Sequence, residues 1–173
     1  ANRDKGNQIW IISADGGEAV KLTEEDSGIG GFRWAPDGKR IAFITQDVPK
    51  DKEAREKKKK DKFDAAVVDQ DLQYSHLWVM DTASKEKKRL TQGSFTVTSM
   101  EWSHNGQWIA YVSSPAAVQE SKYKDISADR DTDIYVIGAD GGAPRQLTTN
   151  PGSDANPQWS PGDGEIAYIA ASD

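Results

Sequence analysis

Apolar residues fall along this chain in short bursts separated by polar stretches. The bursts are "IWII" from Ile9, "RIAFIT" from Arg40, "HLWVM" from His76, "WIAYVS" from Trp108, "DIYVIG" from Asp133 and "EIAYIA" from Glu165. Each is four to six residues long and rich in β-branched and aromatic side chains, the signature of a strand and too short for an ordinary helix. The bursts also keep register with one another. Thirteen residues after Ile9, Leu77 and Ile134 stand Leu22, Leu90 and Leu147, each followed by threonine. Twelve further on stand Trp34, Trp102 and Trp159, and seven beyond those Ile41, Ile109 and Ile166, each followed by alanine and an aromatic. The chain therefore contains one unit written three times. The copies are spaced 68 and then 57 residues apart, so insertions enter the unit at one place.

Turn chemistry connects the bursts into hairpins. "DGGEAVKLT" and "DGGAPRQLT" read as a glycine turn followed by a second strand, and the middle copy makes the same connection as "DTASKEKKRLT". "FRWAP", "MEWSH" and "PQWSP" read as a third strand, "PDG", "HNG" and "PGDG" as the next turn, and the "IAF", "IAY" and "IAY" bursts as the fourth strand. Four short antiparallel strands in about 40 residues make a propeller blade. A lone four-stranded sheet cannot bury both faces, whereas sheets stacked radially bury one another.

The expected fold is therefore all-β, a β-propeller segment spanning residues 1–173. The repeats cover 8–47, 76–115 and 133–172, with a charged insertion at 48–75 and a second insertion at 116–132. With the tryptophan strand innermost, the chain holds about three blade equivalents. Two are whole blades. An outer half-blade (8–23) and an inner half-blade (155–170) are complementary. The insertions leave from the face that carries the links between blades, and long loops on a rigid scaffold are where function concentrates.

Composition narrows the chemistry. The chain has no cysteine, which excludes a disulfide framework, a thiol nucleophile and a cysteine zinc site. Its net charge of −6 argues against nucleic acid as a partner. No apolar run approaches the ~20 residues that span a bilayer, and no membrane partner is expected. The first residues, "ANRDKGNQIW", carry no basic-then-apolar signal pattern. The expected locale is soluble, with bacterial cytoplasm and periplasm both open. The basic run Lys57–Lys60 sits among mixed charges, and residues 50–62 contain one apolar side chain, Ala54, so this stretch is expected to be solvated.

Candidate residues follow. Trp10, Trp34, Trp78, Trp102, Tyr135 and Trp159 recur at two fixed repeat positions and are assigned to packing between blades. Trp108 replaces the polar Arg40 and Glu165 of its cognates, so it is a candidate exposed contact. Asp64, Asp69, Asp71 and Tyr74 flank an apolar "AAVV" and form a candidate surface toward substrate or partner. Asp129, Asp131 and Asp133 have calcium-loop spacing, but Ile134 holds the position of the required glycine, so a solvated acidic loop is the better reading. No metal and no cofactor is expected. His76 and His104 lack a triad context, and G-x-S-x-G is absent, so no catalytic residue is assigned.

"WAPDGKRIAF", "WSPGDGEIAY", "DGGEAVKLT" and "DGGAPRQLT" are similar to the WD-like repeats of two groups. One is TolB, the periplasmic propeller of the Tol system. The other is the N-terminal propeller of the prolyl oligopeptidase family, including acylaminoacyl and dipeptidyl peptidases. The segment "KFDAAVVDQDLQYSHLWVMDTASKEKKRLT" resembles the peptidases more, because a long aspartate-rich passage there often precedes a "sHLWvvD" strand. The resemblance implies a parent serine peptidase with an α/β-hydrolase domain outside this chain. The propeller would gate access and contribute to recognition of short peptides. The competing expectations are a TolB-like protein-binding module and a self-assembling structural unit, including a homodimer that completes a six-bladed ring.

Overall fold

The computed structural model describes residues 6–48, 73–115 and 131–171. Most of the charged insertion, with Asp64, Asp69 and Asp71, and the acidic loop's Asp129 lie outside the described residues. Among the described residues all regular structure is β, in twelve strands: β1 (Trp10–Ile11), β2 (Val20–Lys21), β3 (Gly31–Trp34), β4 (Arg40–Gln46), β5 (Ser75–Asp81), β6 (Lys87–Arg89), β7 (Phe95–Trp102), β8 (Trp108–Pro115), β9 (Asp133–Gly138), β10 (Arg145–Gln146), β11 (Asp154–Trp159) and β12 (Ile166–Ala170). They form two four-stranded antiparallel sheets, β3-β4-β5-β6 and β7-β8-β9-β10, and two two-stranded ones, β1-β2 and β11-β12.

In the interior strands of the four-stranded sheets the apolar bursts have both faces covered. In β4, Ile41, Ala42, Phe43 and Ile44 are all buried. Ala42 and Ile44 face the next sheet, joining Leu77, Met100, Trp102 and Tyr111 in one core. Ile41 and Phe43 face the other way, joining Ile9 and Leu22 of the β1-β2 ribbon. Alternation along a strand sends successive side chains to opposite faces, so a run without polar residues fits a sheet covered on both sides. Each of the larger side chains contributes roughly 1.5–3 kcal/mol on burial.

The turns show why their residues are there. Gly16 and Gly17 sit at φ 93° and 114°, and Gly141 and Gly142 at φ 92° and 109°, conformations that side-chain-bearing residues rarely adopt. In the "PDG" and "HNG" turns the left-handed position is Gly38 or Gly106, but in the third copy it is Asp163, at φ 57°.

The six aromatics assigned to packing between blades differ in burial. Trp102 is buried, at 4% exposure, while Trp78, Tyr135 and Trp159 are half-buried. Trp10 and Trp34 stand exposed, at 57% and 46%. They occupy the same repeat positions as Trp78 and Trp102, but no described sheet lies over them.

Candidate functional site

The leucine–threonine pairs of the repeat lock each outer hairpin. The hydroxyls of Thr23, Thr91 and Thr148 each accept the backbone N–H of the strand opposite, from Ile9, Leu77 and Ile134, all at 2.9 Å. Thr23 donates onward to Gln8 Oε1 at 2.9 Å, and Thr148 to Asp133 Oδ1 at 3.3 Å. The cognate partner of Thr91 is His76 Nδ1, at 3.2 Å. The other ring nitrogen, Nε2, is buried with no hydrogen-bond partner among the described residues. That nitrogen faces Asp47 Oδ2 at 3.5 Å, and Asp47 in turn binds the Arg89 guanidinium at 3.0 Å. Burial first, and the charge of Arg89 second, lower the pKa of His76, against the opposing pull of Asp47 and a backbone contact at Gly93. His76 is thus a neutral part of the hairpin lock and has no place in a triad.

His104 serves a different joint. Its backbone N–H and its Nδ1 meet Asp163 Oδ1 at 2.7 and 2.9 Å, and the Asn105 N–H donates to Asp163 Oδ2 at 2.8 Å. The turn of the second four-stranded sheet is thereby stapled to the turn of β11-β12. Desolvation raises the Asp163 pKa, but these hydrogen bonds outweigh it and hold the carboxyl below its ordinary value. They also hold the left-handed backbone of Asp163. One sheet earlier Arg40 does the equivalent work: its Nη2 donates to Gly106 O at 3.0 Å and its guanidinium lies 5.2 Å from the Trp102 ring centre. Trp108 occupies the Arg40 position of the second sheet and is 45% exposed.

The tryptophan strands lie side by side. Trp102 Nε1 donates to Arg33 O and Trp159 Nε1 to Glu101 O, both at 3.3 Å. Arg33 Nε meets Glu101 Oε2 across the sheets at 3.3 Å. Beside this pair opens a cleft of about 380 Å³, lined among others by Arg33, Ser99, Glu101, Asn156, Gln158 and Tyr168. Two irregularities shape it: β7 shifts register between Val97 and Ser99, and β11 between Ala155 and Gln158, where Asn156 takes φ 53°. The cleft offers a cation, an anion and two amides to a ligand, with no nucleophile–base pair.

Of the residues singled out from sequence, Tyr74 is half-buried at the foot of β5, where its carbonyl accepts the Asp47 N–H at 2.8 Å. It lies away from the cleft residues. Asp131 and Asp133 are half-buried, and no group of three acidic or histidine side chains is arranged to hold a metal among the described residues. Arg33, Glu101 and Gln158 escaped the sequence reading. Their signal was faint: each precedes a repeated tryptophan, and each is polar.

No family model matches the chain. The uncharacterized peptidase YuxL of Bacillus subtilis (strain 168) is 27% identical over 143 residues, which cover 81% of this chain and 17% of that protein. The chain thus spans about one sixth of that relative's length. Among solved structures, a putative TolB from Agrobacterium tumefaciens superposes with a TM-score of 0.58 at 17% identity, over 95% of this chain and 51% of its own. The acylaminoacyl peptidase of Pyrococcus horikoshii gives 0.55 at 18%, over 88% of this chain and 22% of its own. These structural likenesses bear on the fold, which is propeller-like, and the sheets are called blades from here on. Among the described residues no helix is long and apolar enough to cross a membrane.

Proposed function

We propose that this chain is a propeller segment of a serine peptidase of the prolyl oligopeptidase type. In that reading it gates access to an α/β-hydrolase domain carried elsewhere in the protein, contributes to recognition of short peptides, and supplies no catalytic residue. The observation that carries it is the match over 81% of the chain to a relative that bears the name peptidase. The cleft chemistry is compatible. Arg33 and Glu101 are both substantially exposed, so their mutual ion pair is worth only ~0–1 kcal/mol. A peptide's ammonium or carboxylate can therefore displace it at little cost.

The test uses the protein that carries this segment. Arg33→Ala and Glu101→Ala should raise KM for short peptides several-fold and leave the rate of labelling by a small fluorophosphonate unchanged. Unaltered KM in both variants would remove the cleft from recognition. A TolB-like protein-binding module is the second reading, favoured by the extent of the superposition on the Agrobacterium structure. Under it the parent gene would encode no G-x-S-x-G serine.

A further inference from the structure

Each outer hairpin is closed by one device, a threonine hydroxyl that accepts a backbone N–H of the strand opposite, from Ile9, Leu77 or Ile134. The residue just before each of these amides is the variable part: Gln8, His76 or Asp133. Glutamine does not titrate. The other two do, and each stands where an insertion rejoins a blade, His76 after 48–75 and Asp133 after 116–132.

His76 is ill placed to take a positive charge. It is 0% exposed, its Nε2 has no hydrogen-bond partner among the described residues, and the Phe95 ring lies 5.3 Å away. The charged groups that face it are Asp47, 3.5 Å from Nε2, and Arg89, which holds the same carboxylate oxygen at 3.0 Å. Arg89 already neutralises Asp47, so a proton on His76 meets little net attraction. Burial first, and then the Arg89 charge, lower its pKa against the pull of Asp47. Relative to the unfolded chain, folding favours the neutral imidazole.

Asp133 is ill placed to keep a negative one. Its carboxylate accepts from Gln146 Nε2 at 2.9 Å and from Thr148 Oγ1 at 3.3 Å. The charged groups that face it are two further carboxylates, Asp131 and Asp154. The backbone draws Asp154 in: its N–H donates to the Thr132 carbonyl at 2.8 Å, and Thr132 Oγ1 donates to its carbonyl at 2.9 Å. Asp154 is 0% exposed, at a repeat position where the other copies carry Ile29 and Val97. Asp131 Oδ1 and Asp154 Oδ2 are both buried with no hydrogen-bond partner among the described residues. Burial first, and then the charges of Asp131 and Asp154, raise the Asp133 pKa against its own hydrogen bonds. Relative to the unfolded chain, folding favours the neutral acid.

We propose that acid acts on the two insertion roots in opposite senses: it loosens the lock at Leu77, tightens the lock at Ile134 and leaves the glutamine lock at Ile9 unmoved. The signs follow from linkage. Below the ordinary 6.5 of histidine, the opened first lock takes up a proton that the closed one resists, so closure weakens as the pH falls. Asp133 binds its proton more tightly in the closed lock than in the open one. Its contribution is complete below 3.8 and is lost as the pH rises through the raised folded value. Between 6.5 and 3.8 the two roots therefore exchange strength. This proposal is independent of the peptidase reading.

Amide hydrogen exchange in the protein that carries this segment reads the three locks side by side. Protection of the Ile9, Leu77 and Ile134 N–H groups, corrected for the intrinsic rate, is compared at about pH 7 and about pH 4. Relative to Ile9, protection should fall at Leu77 and rise at Ile134, by at most about tenfold per pH unit, the limit for one proton. His76→Gln should make Leu77 follow Ile9, and Asp133→Asn should do the same for Ile134. Each keeps an acceptor for its threonine, and the wild-type comparison stands without them. One common pH response at all three amides, or protection lost at Leu77 and Ile134 together, would overturn the proposal.

Discussion

Replacing Trp102 by alanine isolates what the stacking of one blade on the next contributes. The side chain is 4% exposed and lies in the core shared by the two complete blades. Truncating a buried tryptophan costs about 3–5 kcal/mol. The change also takes the N–H donor from Arg33 O at 3.3 Å and the ring from beneath the Arg40 guanidinium. A cation–π contact at a partly exposed arginine is worth ~0.5–1 kcal/mol, so the expected total lies near 4–5 kcal/mol. A domain of this size has about 5–15 kcal/mol to lose. Trp108→Ala is the control: it removes the same side chain from a site 45% exposed, and about 1 kcal/mol or less is expected. Urea titration of both variants, followed by far-ultraviolet circular dichroism and fitted for midpoint and slope, gives the two losses. Equal losses, or a Trp102→Ala loss below that of Trp108→Ala, would refute the reasoning that the neighbouring blade sets the energetics of the repeat.

Two further expectations concern titration. His76 has its folded-state pKa below its ordinary 6.5, so the unfolded chain binds the extra proton. Stability is then complete above about pH 6.5 and falls as the pH drops toward the folded value, by up to ~1.4 kcal/mol per pH unit. His76→Gln keeps an acceptor for Thr91, as Gln8 does for Thr23, and should flatten that slope when denaturant midpoints are compared between pH 7 and 5. An unchanged slope would contradict the buried neutral imidazole. Asp163 has its pKa lowered from 3.8, so its contribution is present above that value and lost as the pH falls below it. Asp163→Asn should make the acid limb of unfolding shallower and leave the neutral-pH spectrum unchanged, and an identical acid titration would contradict the turn-to-turn staple.

Much of this architecture can be read from the letters. The 13-12-7 spacing places four strands per unit, and the "DGG" turns land where positive φ is needed. Burial is less legible. Trp34 and Trp102 sit in the same motif, yet one is exposed and the other buried, because a strand's own sequence does not say whether a sheet will cover it. The hairpin lock was hidden for another reason. Gln8, His76 and Asp133 share no chemistry as a class, and the role common to them emerges only when each meets a threonine 15 residues away. The Arg33–Glu101 pair spans 68 residues and two blades, a separation at which no local pattern links the partners.

Fluorophosphonate labelling of the protein that carries this segment, followed by peptide mapping, tests the functional reading most directly. The expected result is one labelled serine, set in a G-x-S-x-G sequence outside residues 1–173, with the isolated 173-residue chain unlabelled and inactive on aminoacyl and dipeptidyl substrates. A labelled serine within these residues, or no labelled serine anywhere in the protein, would contradict it.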